Sequence, residues 1–117
     1  MDEDLTTKTC VPCRGGMPPL GENEAKVLSR QTPGWAVAPQ GSNAAHHISR
    51  TFKFDNFKEA LDFVTKAGAI AEAEGHHPDI EFGWGYATIK SYTHKIDGLH
   101  ENDFILAAKI DRAAGTG

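Results

Sequence analysis

Glu72, His76, His77 and His94 are the residues of this 117-residue chain whose types and spacing could do proton chemistry. The stretch "AEAEGHHPDI", residues 71–80, sets two adjacent imidazoles between a glycine and a proline. An imidazole, with an ordinary pKa near ~6.5, both gives and takes a proton at neutral pH. A second pair, His46 and His47 in "NAAHHISR", and the "CVPC" motif of Cys10 and Cys13 complete the inventory. Two chemistries are open to such a set. Three imidazoles form a zinc set of the hydrolytic kind, and Cys10 and Cys13 are half of a four-ligand site that His76, His77 or a second chain would have to complete. Alternatively the histidines are general acids and bases, with Glu72 one helical turn before His76 to hold its tautomer and raise its basicity. Adjacent histidines are poor joint ligands for one ion, which favours proton transfer. A third reading, rings that only cap a helix and fill a turn, stays open on spacing alone.

The elements that must position these groups follow from periodicity and punctuation. Residues 1–21, with the CxxC motif, are polar, rich in Gly and Pro and without apolar period, so they read as a flexible extension; the domain proper spans 22–117. "RGGMPPLG" after the motif cannot start a helix, which argues against a thioredoxin-like site. "ENEAKVLSRQ" reads as a short helix stopped by "TPG", and "WAV" as a brief strand. Residues 46–54 alternate, with Ile48, Phe52 and Phe54 on one face and Arg50 as the exception on it. Residues 55–75 make the long helix, with Asn56 as cap, Glu59 three residues on, and Gly75 as terminator. Its expected buried stripe is Phe57, Leu61, Val64, Gly68 and Ala71, Gly68 allowing another backbone close. A hairpin follows, Ile80, Phe82 and Trp84 alternating, a turn around Gly85 and Tyr86, then "ATIKSYTH"; a last helix ends at Gly115. The order α-β-β-α-β-β-α predicts an α+β fold, a four-stranded antiparallel sheet with three helices on one face.

Placed on these elements, the two histidine pairs separate. His46 and His47 sit in a strand, where consecutive side chains point to opposite faces, so they are expected to be structural or solvated. His76 and His77 sit at a helix-to-strand junction, where Pro78 biases His77 towards extended backbone. His94 ends the hairpin that begins just after them, so folding returns it to their side. Three imidazoles should converge.

Composition limits what they act on. The formal charge is −4 with no Lys/Arg run, so neither nucleic acid nor an anionic membrane is an expected partner. No apolar stretch approaches the ~18 residues of a membrane span, and the acidic start lacks the apolar core of a signal peptide, which together suggest a cytoplasmic protein.

The run Glu72, three residues, "HHP", five residues, Trp84, nine residues, His94, eight residues, Asp103 resembles the signature of the pterin-4a-carbinolamine dehydratase family. "PGW", "ISRTFKFDNFKEALDFV" and "NDFILAAKID" are similar to that family too, and "CVPCRGGMPPL" resembles an extension that some bacterial and plant members carry. The resemblance implies dehydration of a 4a-hydroxytetrahydropterin to the quinonoid dihydropterin, recycling the product of an aromatic amino acid hydroxylase. That reaction needs an acid for the departing hydroxyl and a base for the N5 proton, and no metal or other cofactor. Carried onto this chain, His76 and His94 become the acid/base pair, His77 binds and orients the pterin, and Glu72 tunes the group. Pro78 and Thr93 would add backbone contacts to the ring, with Asp103 and Trp84 in support. His100 stands where many relatives carry a Ser or Thr that caps the last helix. The resemblance also implies a homodimer or homotetramer. It leaves an alternative to catalysis, a protein-binding module of the transcriptional coactivator or assembly-factor kind; retention of all three histidines with Glu72 favours the enzyme.

Overall fold

The computed structural model describes residues 4–12 and 15–115. Its elements are α1 (Glu22–Ser29), β1 (Ala36–Gln40), β2 (Asn43–Lys53), α2 (Phe57–Glu74), β3 (Asp79–Gly83), β4 (Tyr86–Ser91) and α3 (Glu101–Ala114), with 3-10 turns at Leu5–Thr7 and His94–Ile96. The strands form one antiparallel sheet in the order β1-β2-β4-β3. Register puts Ile48, Arg50 and Phe52 of β2 opposite Ser91, Ile89 and Ala87 of β4, and Ile80 and Phe82 of β3 opposite Ile89 and Ala87. That face meets Ala25 of α1, Phe63, Ala67 and Ala71 of α2, and Phe104, Leu106, Ala107 and Ile110 of α3 in one core. The α+β order and the segregation of helices to one side are as the sequence predicts. The other face is polar, its Thr51 and Thr88 hydroxyls bonded across strands at 2.8 Å.

Several local expectations change. The buried row of α2 is Ala60, Phe63, Ala67 and Ala71, whereas Phe57 and Leu61 are 44% and 42% exposed. Three alanines in the row let α2 lie close on the sheet, and Phe63 reaches between them to Phe52 and Phe54, ring centroids 4.6 and 5.2 Å away. Gly68 faces open space rather than another backbone. Gly75 closes α2 as expected, in the left-handed conformation at φ 66°, and lets His76 N–H reach back to Ala71 O at 3.2 Å.

The hairpin turn falls at Trp84 and Gly85, with Gly85 at φ 84° and Tyr86 already in β4 opposite Gly83. Trp84 is therefore a turn residue, 73% exposed, not an inward member of β3. Arg50 is accounted for: its guanidinium donates to Asp111 of α3 at 2.9 Å and lies 4.6 Å over the Phe52 ring, and Trp35 Nε1–H donates to the same carboxylate oxygen at 2.9 Å. Burial pushes the Asp111 carboxyl up, and the bonds from Trp35 and Arg50 oppose it.

Residues 5–11 of the N-terminal extension are seated on the domain, although its composition suggests a loose tail. Leu5 is buried in the core, its N–H donating to Gln31 Oε1 at 2.9 Å, and residues 8–11 run along α3 and the end of α2. Single apolar anchors have no period to detect, so a segment seated one residue at a time reads as disordered. Cys13 lies outside the described residues, and the CxxC pair with it.

Candidate active site

A cleft of about 540 Å³ opens where the exits of α2 and β4 meet the start of α3. Gly75, His76 and His77 line one side, and Thr93, His94 and Lys95 the other. Cys10, Val11 and Pro12 of the extension form a third wall, with Glu74 and Asn102 beside them. The three predicted imidazoles therefore share one space. His94 arrives by a different route from the one expected. β4 ends at Ser91, Thr93 pairs with Gly98 in an isolated bridge, and the 3-10 turn His94–Ile96 carries the ring, which stacks on Tyr92 with centroids 4.2 Å apart.

The organiser of the site is Asp103, at the first turn of α3. This carboxylate is fully buried and accepts four hydrogen bonds: His76 Nε2–H at 2.7 Å, Ser91 Oγ–H at 2.6 Å, Thr93 Oγ1–H at 2.9 Å and the His100 N–H at 3.0 Å. The donors come from the chain after α2, from β4 and its exit, and from the entry to α3. One side chain thus fixes three chain passages and sits at the positive end of a helix dipole, where a negative charge is favoured. Its partner assigns the His76 proton to Nε2 and leaves Nδ1 as the ring's acceptor.

Glu72 takes the part expected of it with a different ring. Its carboxylate bonds His77 Nε2, not His76, because the left-handed Gly75 turns the chain before His76 and carries it to the Asp103 side. Both members of that pair are exposed, so Glu72 orients a surface imidazole. Thr93 lines the cleft, its hydroxyl donating to Asp103 and its backbone N–H to Gly98 O at 2.8 Å. Pro78 sets the path of the chain into β3 but is not on the cleft wall. Trp84, at the far end of the hairpin, does not reach this cleft within one chain.

His100 keeps the helix cap with an imidazole: its Nδ1 accepts from Asn102 N–H at 3.0 Å while Asp103 accepts from the His100 N–H. His46 and His47 behave unlike two residues pointing apart. His46 is buried, bonds Asp97 Oδ1 at 2.8 Å, stacks on Tyr92 at 4.6 Å, and its Nδ1 lies 3.0 Å from that of His47. Burial, then repulsion from Lys90 and His46, holds the His47 pKa below its ordinary value. This pair lies behind Tyr92 and does not line the cleft. Among the described residues, no three of His, Cys, Asp and Glu are grouped to hold a metal ion.

The sequence singles out neither Ser91 nor Asn102, and reads Cys10 only as half of the CxxC pair. Ser91 had a signal, as the inward member of the Ala87, Ile89, Ser91 alternation; a hydroxyl in a core row requires a polar partner. Asn102 had none, since its role depends on where the extension lies.

The family model for pterin 4 alpha carbinolamine dehydratase matches residues 18–113. A Rubrobacter xylanophilus protein whose provisional name is pterin-4-alpha-carbinolamine dehydratase is 56% identical over 109 residues, covering 93% of this chain and 97% of its own length. A Methylococcus capsulatus protein of the same provisional name is 56% identical over 110 residues, 94% of this chain and 93% of its own. Among solved structures, a Brucella melitensis protein titled transcriptional coactivator/pterin dehydratase superposes with a TM-score of 0.74 at 30% identity, over 83% of this chain and 99% of its own. A pterin dehydratase-like protein titled a RuBisCO assembly factor of the alpha-carboxysome gives 0.56 at 25% identity, over 70% and 93%. On residues 18–113 and on near full-length relatives alike, the chain belongs to the pterin 4 alpha carbinolamine dehydratase family.

Proposed function

We propose that the protein dehydrates a 4a-hydroxytetrahydropterin to the quinonoid dihydropterin by histidine general acid/base catalysis. The observation that carries the reading is the Asp103–His76 pair at the wall of a cleft that His77 and His94 share. Loss of the 4a-hydroxyl needs one proton delivered to the departing oxygen and one removed from N5, so water leaves and the ring gains a C=N bond. His76, on the cleft wall with its Nε2 proton directed to a buried carboxylate, suits the base. His94, exposed on a short turn across the cleft, suits the acid. His77, steadied by Glu72, orients the pterin edge. Such placement contributes typically about 100- to 10,000-fold. Protons alone complete this reaction, so it calls for no metal and no redox cofactor. The product would re-enter tetrahydropterin recycling beside an aromatic amino acid hydroxylase, with which the protein would work in the cytoplasm.

The test follows the absorbance of freshly generated 4a-hydroxytetrahydropterin. The unmodified protein should accelerate its decay, and His76→Ala and His94→Ala should each remove most of that acceleration. A decay no faster than in buffer, or one unchanged in the double variant, sinks the proposal. A second role in protein binding is favoured by the exposed Phe57, Leu61 and Trp84 and by the printed titles of the two structural neighbours. The same apolar residues suit self-association into a homodimer or homotetramer, as do the unpaired outer edges of β1 and β3. Light scattering of the purified chain, with a Phe57→Ser, Leu61→Ser variant for comparison, separates monomer from assembly; a monomeric unmodified chain removes the oligomer.

A further inference from the structure

Residues 5–12 are held in place far more firmly than packing of their own side chains requires. Leu5 anchors one end in the core, and Lys8 pairs with Glu101 at 2.6 Å. The Cys10 N–H donates to Glu74 at 2.8 Å, and Glu74 in turn binds Lys109 at 2.6 Å. Burial works against the Glu74 carboxylate, but the hydrogen bonds from Lys109 and Cys10 outweigh it and hold its pKa below the ordinary value. Asn102, itself buried, then reads both backbone groups of Val11: its Oδ1 accepts from Val11 N–H at 3.0 Å and its Nδ2 donates to Val11 O at 2.7 Å. A side-chain amide bonded in this way fixes a chain segment as a neighbouring strand would.

What this clamp holds out is an apolar surface. Val11 is 56% exposed and Pro12 is exposed, so neither packs into the core, yet both line the cleft. An immobilised apolar wall in a cleft also lined by imidazoles offers a bound ring a surface to pack on. The remaining walls offer imidazoles and a hydroxyl residue, suited to the polar edge of a flat heterocycle, and the volume exceeds what a bicyclic ring alone fills. Cys10 does not compete for a chemical role: its thiol points to Asn102 O at 3.5 Å, and burial, with Glu74 beside it, pushes its pKa up to about 12. It is held as the neutral thiol.

We propose that residues 5–12 are a specificity-determining strap, with Val11 and Pro12 packing against the ring face and the C6 substituent of the bound pterin, and Asn102 as the positioning residue that holds them. This rests on the pterin reading of the cleft. Because Asn102 and Asp103 are consecutive in α3, the strap and the His76 carboxylate are set by the same helical turn.

The experiment compares the full chain with a Val11→Gly, Pro12→Gly variant and with Asn102→Ala, its fold checked by circular dichroism. Each is assayed on 4a-hydroxytetrahydropterins bearing either a methyl or a dihydroxypropyl group at C6, and titrated calorimetrically with the corresponding 7,8-dihydropterins. The strap predicts that KM and Kd rise about tenfold in the double variant, more for the longer substituent, with kcat within about twofold. Asn102→Ala should follow in the same direction. Unchanged KM and Kd, or equal losses for both pterins, overturn the strap while leaving the dehydratase reading intact. If the unmodified chain does not dehydrate, that reading fails by itself, and the strap is judged on calorimetry, where absent or unaltered binding overturns it.

Discussion

Asp103 decides more at this site than any histidine does alone. A carboxylate with four donors and no solvent is held in one place, and His76 inherits that precision through its Nε2–H. Glu72, by contrast, meets His77 in water, where an ion pair contributes at most ~1 kcal/mol. The two carboxylates therefore rank in the opposite order from their distances along the sequence to the histidines. Asp103→Asn should lower kcat by about 10- to 100-fold, the usual cost of losing the group that orients a reacting imidazole. Glu72→Gln should change it by less than about threefold, since the exposed pair contributes little. Steady-state dehydration by both variants checks this, with a urea melt to show that Asp103→Asn is folded. Equal effects would mean that the exposed pair matters as much as the buried one.

Among the elements, α2 carries the clearest gap between pattern and packing. Two apolar rows run along it and share Ala71, the expected Phe57, Leu61, Val64 and Gly68 and the observed Ala60, Phe63 and Ala67, and a periodicity count favours the one with larger side chains. The sheet takes the other, because small residues let the helix axis come close and the single large ring, Phe63, fills the space between Phe52 and Phe54. Phe63→Ala should lower the unfolding free energy by about 3–5 kcal/mol. Phe57→Ser, at an exposed position, should lower that of the isolated chain by less than about 1 kcal/mol. Urea unfolding at a concentration where the chain is monomeric gives both numbers. A larger loss at Phe57 would restore the sequence-derived stripe.

At the scale of the whole molecule, stability should carry a titration that has nothing to do with catalysis. His47 is covered by the fold and repelled by Lys90 and His46, and its folded pKa is depressed below 6.5. The unfolded chain then binds more protons below that value, so stability is greatest with His47 neutral and falls as pH drops through the window beneath ~6.5. His47→Gln should lose less stability than the unmodified protein between about pH 7.5 and about pH 5.5. Thermal melts across that range measure the difference, and parallel curves would assign the effect to another group.

The sequence by itself determined the element order, the caps at Asn56 and Gly75, and the meeting of His76, His77 and His94. These follow from local rules: periodicity, terminators, and a hairpin that returns the chain to the side where it began, although the 3-10 turn after β4 is what carries His94. Arg50 shows where such rules stop. It reads as an error on an apolar face until Asp111, 61 residues away, arrives beside it. Tertiary structure alone decided that Asp103 rather than Glu72 holds His76, which row of α2 is buried, where Trp84 points, and that residues 5–12 form a wall of the cleft. Each is a contact between segments distant in sequence, made by a single side chain, and a single side chain has no period to read.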